Sequence, residues 1–100
     1  MTNLQEEIKA IIMQHDIVLF MKGTKGAPQC GFSSQVAHIL DDIGKEYHDI
    51  NVLDNEDIRH NIKIFSDWPT IPQLYIKGEF VGGCDIVTEL YQSGELLKMI

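Results

Sequence analysis

The residue with the clearest chemistry is Cys30. It follows a loop holding Gly23, Gly26 and Pro28 and opens a helix read from the spacing of Phe32, Val36, Leu40 and Ile43. Free N–H groups and the positive end of the dipole favour a thiolate at a helix start. Lys22 leaves the preceding strand on the same side and adds positive charge, so a depressed thiol pKa is expected. Gly31 removes a side chain beside the sulfur and leaves room for another molecule. The bland alternative is a small buried cysteine that happens to begin a helix. Cys30-Gly31-Phe32-Ser33 puts serine where a Cys-x-x-Cys motif has its second thiol. An internal dithiol cycle is therefore not available at this helix, and any exchange takes its second thiol from solution or from Cys84. Ser33 is also an ordinary first-turn residue, and the two readings are compatible.

Three further places can serve a thiol site. The Ile71-Pro72 bond lies between a helix and a strand, a natural position for a cis peptide, although trans is the commoner form. A cis bond would turn the Ile71 backbone outward to pair with an extended peptide or thiol compound. Gly82-Gly83-Cys84-Asp85 begins another helix, whose exposed N–H groups suit a carboxylate. Asp85 can cap that helix or pair with an ammonium group, and Cys84 reads as a structural residue lending its backbone. Arg59 points either to solvent or, with Lys22, toward a carboxylate; spacing leaves both open. Pro69-x-x-Pro72 also fits a short Pro-rich ligand pattern, a weak signal inside a folded domain. His15, His38, His48 and His60 lack paired metal-ligand spacing and read as surface or boundary residues.

These residues need a scaffold, and the punctuation of the chain supplies one. Leu4, Ile8, Ile11 and Ile12 share a helical face, with Asn3 as its cap and Glu6 completing a capping-box-like pattern. Ile17-Val18-Leu19-Phe20-Met21 is apolar without alternation, as in a strand covered on both faces. Loop 22–29 and the Cys30 helix follow, ended by Gly44. Residues 45–52 predict a second strand. Asp54 or Asn55 caps a third helix with Ile58, Ile62 and Phe65 on its apolar face. Residues 74–76 and 80–81 predict short strands joined by a Lys77-Gly78 turn, and a last helix starts near Asp85, interrupted at Ser93-Gly94. The first two strands, joined by a helix, should run parallel with a right-handed crossover, and the hairpin adds antiparallel strands. The expectation is an α/β fold: a mixed four-stranded sheet with helices on both faces and an extra N-terminal helix, with a ligand site beyond the carboxyl ends of the strands.

Bulk properties narrow the function. One hundred residues fit a single domain over 1–100. Fifteen acids against eight bases give a formal charge of −7 with no basic run, which argues against nucleic acid. No segment approaches the roughly 18 apolar residues of a membrane span. Two cysteines are too few for a disulfide scaffold. With no basic or apolar signal segment in residues 1–7, the chain is expected in the cytoplasm.

Taken together, Lys22-Gly23, Pro28, Cys30-Gly31-Phe32-Ser33, Trp68-Pro69-Thr70-Ile71-Pro72-Gln73 and Gly82-Gly83-Cys84-Asp85 resemble the monothiol glutaredoxins, in order and over nearly the whole chain. The resemblance implies a thioredoxin-like fold with glutathione in a cleft, its sulfur facing Cys30. It implies that Lys22 and Arg59 hold the glycine carboxylate, that Ile71 pairs with the cysteinyl backbone, and that Cys84 and Asp85 bind the γ-glutamyl end. It also implies a [2Fe-2S] cluster shared by a homodimer, ligated by Cys30 and one glutathione sulfur from each chain, which suits the usual set of about four thiolates. BolA-like proteins and iron–sulfur recipient proteins are the implied partners. The competing activity is a monothiol glutathione-dependent oxidoreductase, in which Cys30 attacks protein–glutathione mixed disulfides. The long 22–30 loop resembles that of cluster-carrying members.

Overall fold

The structure is a computed structural model that describes residues 3–100; the reading of residues 1–7 as free of a signal segment falls in part on residues 1–2, outside the described residues. Strand β1 (Ile17–Met21) sits inside a four-stranded sheet of order β4-β1-β5-β6, with β4 at His48–Asn51, β5 at Gln73–Ile76 and β6 at Glu79–Gly82. β4 runs parallel to β1, with Met21 opposite Asn51, while β5 and β6 are antiparallel neighbours. Helices α1 (Leu4–Gln14), α2 (Gly31–Ile43), α3 (Glu56–Ser66), α4 (Cys84–Ser93) and α5 (Glu95–Met99) complete the layers.

The unbroken apolar run of β1 is explained by burial on both sides. Ile17, Leu19 and Met21 pack with Val36 and Leu40 of α2 and Val87 of α4. Val18 and Phe20 face the other way, onto Ile8 and Ile12 of α1 and Ile62 of α3. Strand side chains alternate between faces, so a strand in the middle layer must be apolar at every position. Each large apolar side chain so buried contributes about 1.5–3 kcal/mol, and the two clusters press α2 and α4 onto one face and α1 and α3 onto the other. This fixes the start of α2, where Cys30 sits.

Local signals behave as their chemistry dictates. The Asn3 carboxamide accepts from the Glu6 N–H at 2.9 Å, and Asn55 accepts from Asp57 and Ile58, so Asn55 rather than Asp54 caps α3. Gly44 closes α2 at φ 79°. Lys77 and Gly78, at φ 53° and 80°, turn β5 into β6 through the left-handed geometry a two-residue hairpin needs.

Two expectations need revision. Residues 45–47 are not part of a strand: β4 is only His48–Asn51, and the Tyr47 carbonyl is taken by the Lys25 ammonium at 2.6 Å rather than by a ladder. Loop 22–29 is not structureless, for it contains a small hairpin of β2 (Gly23–Thr24) and β3 (Ala27–Pro28) lying beside β4. Among the described residues, no helix is long and apolar enough to cross a membrane.

Candidate functional site

Cys30 is the N-cap of α2, with extended backbone at φ −151°; its sulfur closes no cap hydrogen bond but lies beside the first-turn N–H groups. Its carbonyl takes the first helical bond, from the Ser34 N–H at 2.9 Å. The thiol is half-exposed rather than sealed in the core. Its pKa lies below that of an ordinary thiol, chiefly through the Ser33 backbone N–H beside the sulfur. Partial burial opposes the shift, while the Phe32 N–H, the Lys22 charge and the Ser33 hydroxyl add to it. Backbone donors at the helix start thus outweigh desolvation.

Ser33 has a second task. It is fully buried, and its hydroxyl accepts from the Lys22 N–H at 3.0 Å, tying the end of β1 to the first turn of α2. The Lys22 carbonyl accepts from Gln29 at 2.9 Å, which closes the base of the loop. Gly23 makes this closure possible. Its φ is +92°, and a Cβ there would stand 2.6 Å from the Ala27 oxygen and the Gln29 nitrogen. At Gly31 a Cβ would meet nothing within 4 Å, so the approach beside Cys30 is open.

A cleft of about 530 Å³ runs from Cys30 across the carboxyl end of the sheet. Lys22, Cys30 and Phe32 form one wall, and residues 68–72 form the other. That second wall is stapled from below by buried Gln73, whose amide donates to the Trp68 and Thr70 carbonyls at 3.1 and 3.2 Å. The Ile71-Pro72 bond is cis, and the β1–β5 register ends at Phe20–Gln73, leaving the Ile71 backbone beyond the ladder. At the far end, Gly83 caps α4 without a side chain, so the first N–H groups of the helix face the cleft. A Cβ on Gly83 would lie 3.3 Å from the Pro72 oxygen and from the Trp68 indole nitrogen, a tight contact that would push these neighbours by a few tenths of an ångström. The indole nitrogen is buried without a hydrogen-bond partner.

Five of the six residues singled out from the sequence meet here: Lys22, Cys30, Ile71, Cys84 and Asp85. Ile71 and Cys84 are buried, and Asp85 is exposed in the first turn of α4. Arg59 does not line the cleft; its guanidinium stands 3.7 Å from Glu56 on the surface of α3. Lys63, one turn further along the same helix, does line it. Sequence reasoning passed over Lys63, although the i, i+4 spacing from Arg59 puts both on one flank. Phe32 departs from expectation more sharply. It was assigned to the apolar face of α2, yet it is 62% exposed at the cleft mouth, because the core-facing first-turn position belongs to Ser33. The histidines stand away from the cleft, with His15 and His48 stacked at 4.1 Å. Among the described residues, no group of three or more His, Cys, Asp or Glu side chains can hold a metal.

The cleft therefore carries ammonium groups toward Lys22 and Lys63, helix N–H groups and a carboxylate toward α4, and one thiolate between them. A four-stranded mixed sheet of this order with helices on both faces and a further helix at the N-terminus is a thioredoxin-like fold. The glutaredoxin family profile matches residues 17–81. A probable monothiol glutaredoxin 2 of Rickettsia felis is 60% identical over 95% of this chain and 91% of its own length. Reduced apo GrxS14 of poplar superposes with a TM-score of 0.83 at 50% identity, covering 95% of this chain and 87% of that one. A buckwheat glutaredoxin–glutathione complex gives 0.84 at 26% identity, covering 95% and 84%. The chain belongs to the glutaredoxin family, in its monothiol branch.

Proposed function

We propose that the chain binds glutathione along this cleft and, as a cluster-bridged homodimer, carries a [2Fe-2S] cluster to iron–sulfur recipient proteins in the cytoplasm. The observation that carries the reading is the half-exposed, low-pKa Cys30 with serine in place of a second thiol one turn on. The buckwheat relative was solved with glutathione, and the charges of the present cleft suit that tripeptide. Lys22 and Lys63 line the cleft and would hold the glycine carboxylate, joined by Arg59 from one turn earlier on α3. The Ile71 backbone, free of the ladder, pairs with the cysteinyl residue. The N–H groups at Cys84 and Asp85 take the γ-glutamyl carboxylate, and the Asp85 carboxylate takes its ammonium group. The protein is acidic overall, so these few cations are what make the cleft hospitable to an anion.

Cluster carriage follows from counting ligands. One chain offers one exposed thiolate, whereas a two-iron cluster takes about four. Two chains and two glutathione sulfurs complete the set, and a BolA-like protein is a natural alternative to the second chain. The cluster is cargo held at the protein surface, which suits transfer. A second reading is favoured by the same open thiolate: Cys30 attacks a protein–glutathione mixed disulfide, takes the glutathionyl group and releases the protein thiol; a second glutathione then regenerates the thiol and leaves as glutathione disulfide.

Anaerobic reconstitution with iron, sulfide and glutathione separates the two. The expected product absorbs in the visible, elutes as a dimer and forms only when glutathione is present. A colourless monomer that turns over a glutathione mixed disulfide rapidly would favour the oxidoreductase reading.

A further inference from the structure

The loop between β1 and α2 is held mainly from outside itself. Its own pairing is Gly23 with Pro28 and Thr24 with Ala27, closed at the base by the Gln29 N–H on the Lys22 carbonyl. Besides Ser33 of α2, the outside anchors come from edge strand β4 and the residue before it. The Asn51 side-chain oxygen accepts from the Gly23 N–H at 2.8 Å and from the Leu53 N–H at 3.0 Å. The Asp49 carboxylate accepts from the Lys25 N–H at 2.8 Å. The Lys25 ammonium donates to the Tyr47 carbonyl and lies 4.4 Å from the centre of the Tyr47 ring.

Asn51 has the most consequential position. It stands opposite Met21 in the parallel register, level with the point where the chain leaves β1. The next two N–H groups, of Lys22 and Gly23, are bound by side chains from two different elements, Ser33 of α2 and Asn51 of β4. Together these bonds fix the peptide from which the Lys22 side chain emerges. Asn51 does not line the cleft itself. We propose that Asn51 is a positioning residue: by gripping Gly23 it sets where the Lys22 ammonium stands relative to Cys30 and to the bound carboxylate. This rests on the reading of Lys22 as a glutathione contact.

The test is a set of calorimetric glutathione titrations on Asn51→Leu, Asn51→Asp, Lys22→Ala and the Asn51→Leu/Lys22→Ala double variant. Leucine keeps the branching at Cγ and removes both acceptor bonds, while aspartate keeps an acceptor oxygen. Asn51→Leu should weaken glutathione about tenfold, the scale of the charge-assisted bond that a misplaced Lys22 ammonium no longer makes to the carboxylate. Asn51→Asp should weaken binding clearly less than Asn51→Leu, because the acceptor for the Gly23 N–H is kept. The double variant should bind no more weakly than Lys22→Ala alone. Additive loss in the double variant, or parent-like binding by Asn51→Leu, overturns the proposal. The pH profile of Cys30 alkylation provides an independent readout. Asn51→Leu should move its midpoint upward as the Lys22 charge withdraws, and Asn51→Asp should move it less. If Lys22→Ala leaves glutathione binding unchanged, the carboxylate assignment fails; the positioning claim then stands or falls on the alkylation midpoint. Should Asn51→Leu not fold, Asn51→Ser, too short to reach Gly23, carries the same expectations.

Discussion

Cys30→Ser is expected to give a folded chain that forms no mixed disulfide with glutathione and no coloured dimer on reconstitution. The loss should be complete because no other described thiol can substitute. Cys84 is the only other cysteine, and it is buried in the first turn of α4. The fold should tolerate the change. The Cys30 sulfur makes no cap bond and is half-exposed, and serine is a favoured N-cap worth about 0.5–2 kcal/mol over a non-capping residue. The melting temperature should therefore hold or rise slightly while the chemistry disappears. Mass spectrometry after exposure to glutathione disulfide, with a thermal melt on the same sample, checks both halves. A persisting adduct of one glutathione would move the reactive sulfur to Cys84.

Gly23→Ala should do the reverse and damage the scaffold first. An alanine there must accept φ +92° and a Cβ within 2.6 Å of two backbone atoms, Ala27 oxygen and Gln29 nitrogen. Left-handed strain costs about 1–2 kcal/mol and a core-like clash about 1–3, so a loss of about 2–5 kcal/mol is expected. In a chain of this size that lowers the melting temperature by roughly 10 °C or more. Gly26 provides the control. It lies in the same loop, but a Cβ there meets nothing within 4 Å and its φ is not positive. Gly26→Ala should be neutral or slightly stabilising through the unfolded chain. Equal melting of the two variants would mean that the loop relaxes freely, and that its closure at Gln29 does not fix Cys30.

The contrast shows which parts of the molecule local sequence can reveal. β1 was legible because a strand buried on two faces must be apolar throughout, and the caps at Asn3, Gly44 and Asn55 were legible because their chemistry acts within a few residues. Cys30, Lys22, Ile71, Cys84 and Asp85 converge because the order of elements brings the end of β1 and the start of β5 to the starts of α2 and α4. What stayed hidden depends on contacts far apart in the chain. Ser33 and Phe32 exchange their expected roles because the end of β1 needs a buried hydroxyl acceptor, and nothing within α2 announces that demand. Lys63 enters the cleft, and Arg59 does not, through the rotation of α3 against the sheet, which its apolar stripe fixes only coarsely. Residues 45–47 fail as a strand because Lys25, some twenty residues earlier, claims the Tyr47 carbonyl.

The most direct test is the pH dependence of Cys30 alkylation by iodoacetamide, with the label assigned to its residue by mass spectrometry and repeated with glutathione present. Donors at the start of α2 and the Lys22 charge favour the thiolate, so the half-maximal rate should fall below the value of about 8.5 for an ordinary cysteine. Below that midpoint the proton returns to the sulfur and the rate should drop about tenfold per pH unit. Glutathione should slow the reaction by filling the cleft, and Cys84 should label far more slowly. A midpoint at or above that of an ordinary thiol, a rate indifferent to glutathione, or a Cys84 that reacts as fast as Cys30 would contradict a reachable thiolate in a glutathione cleft.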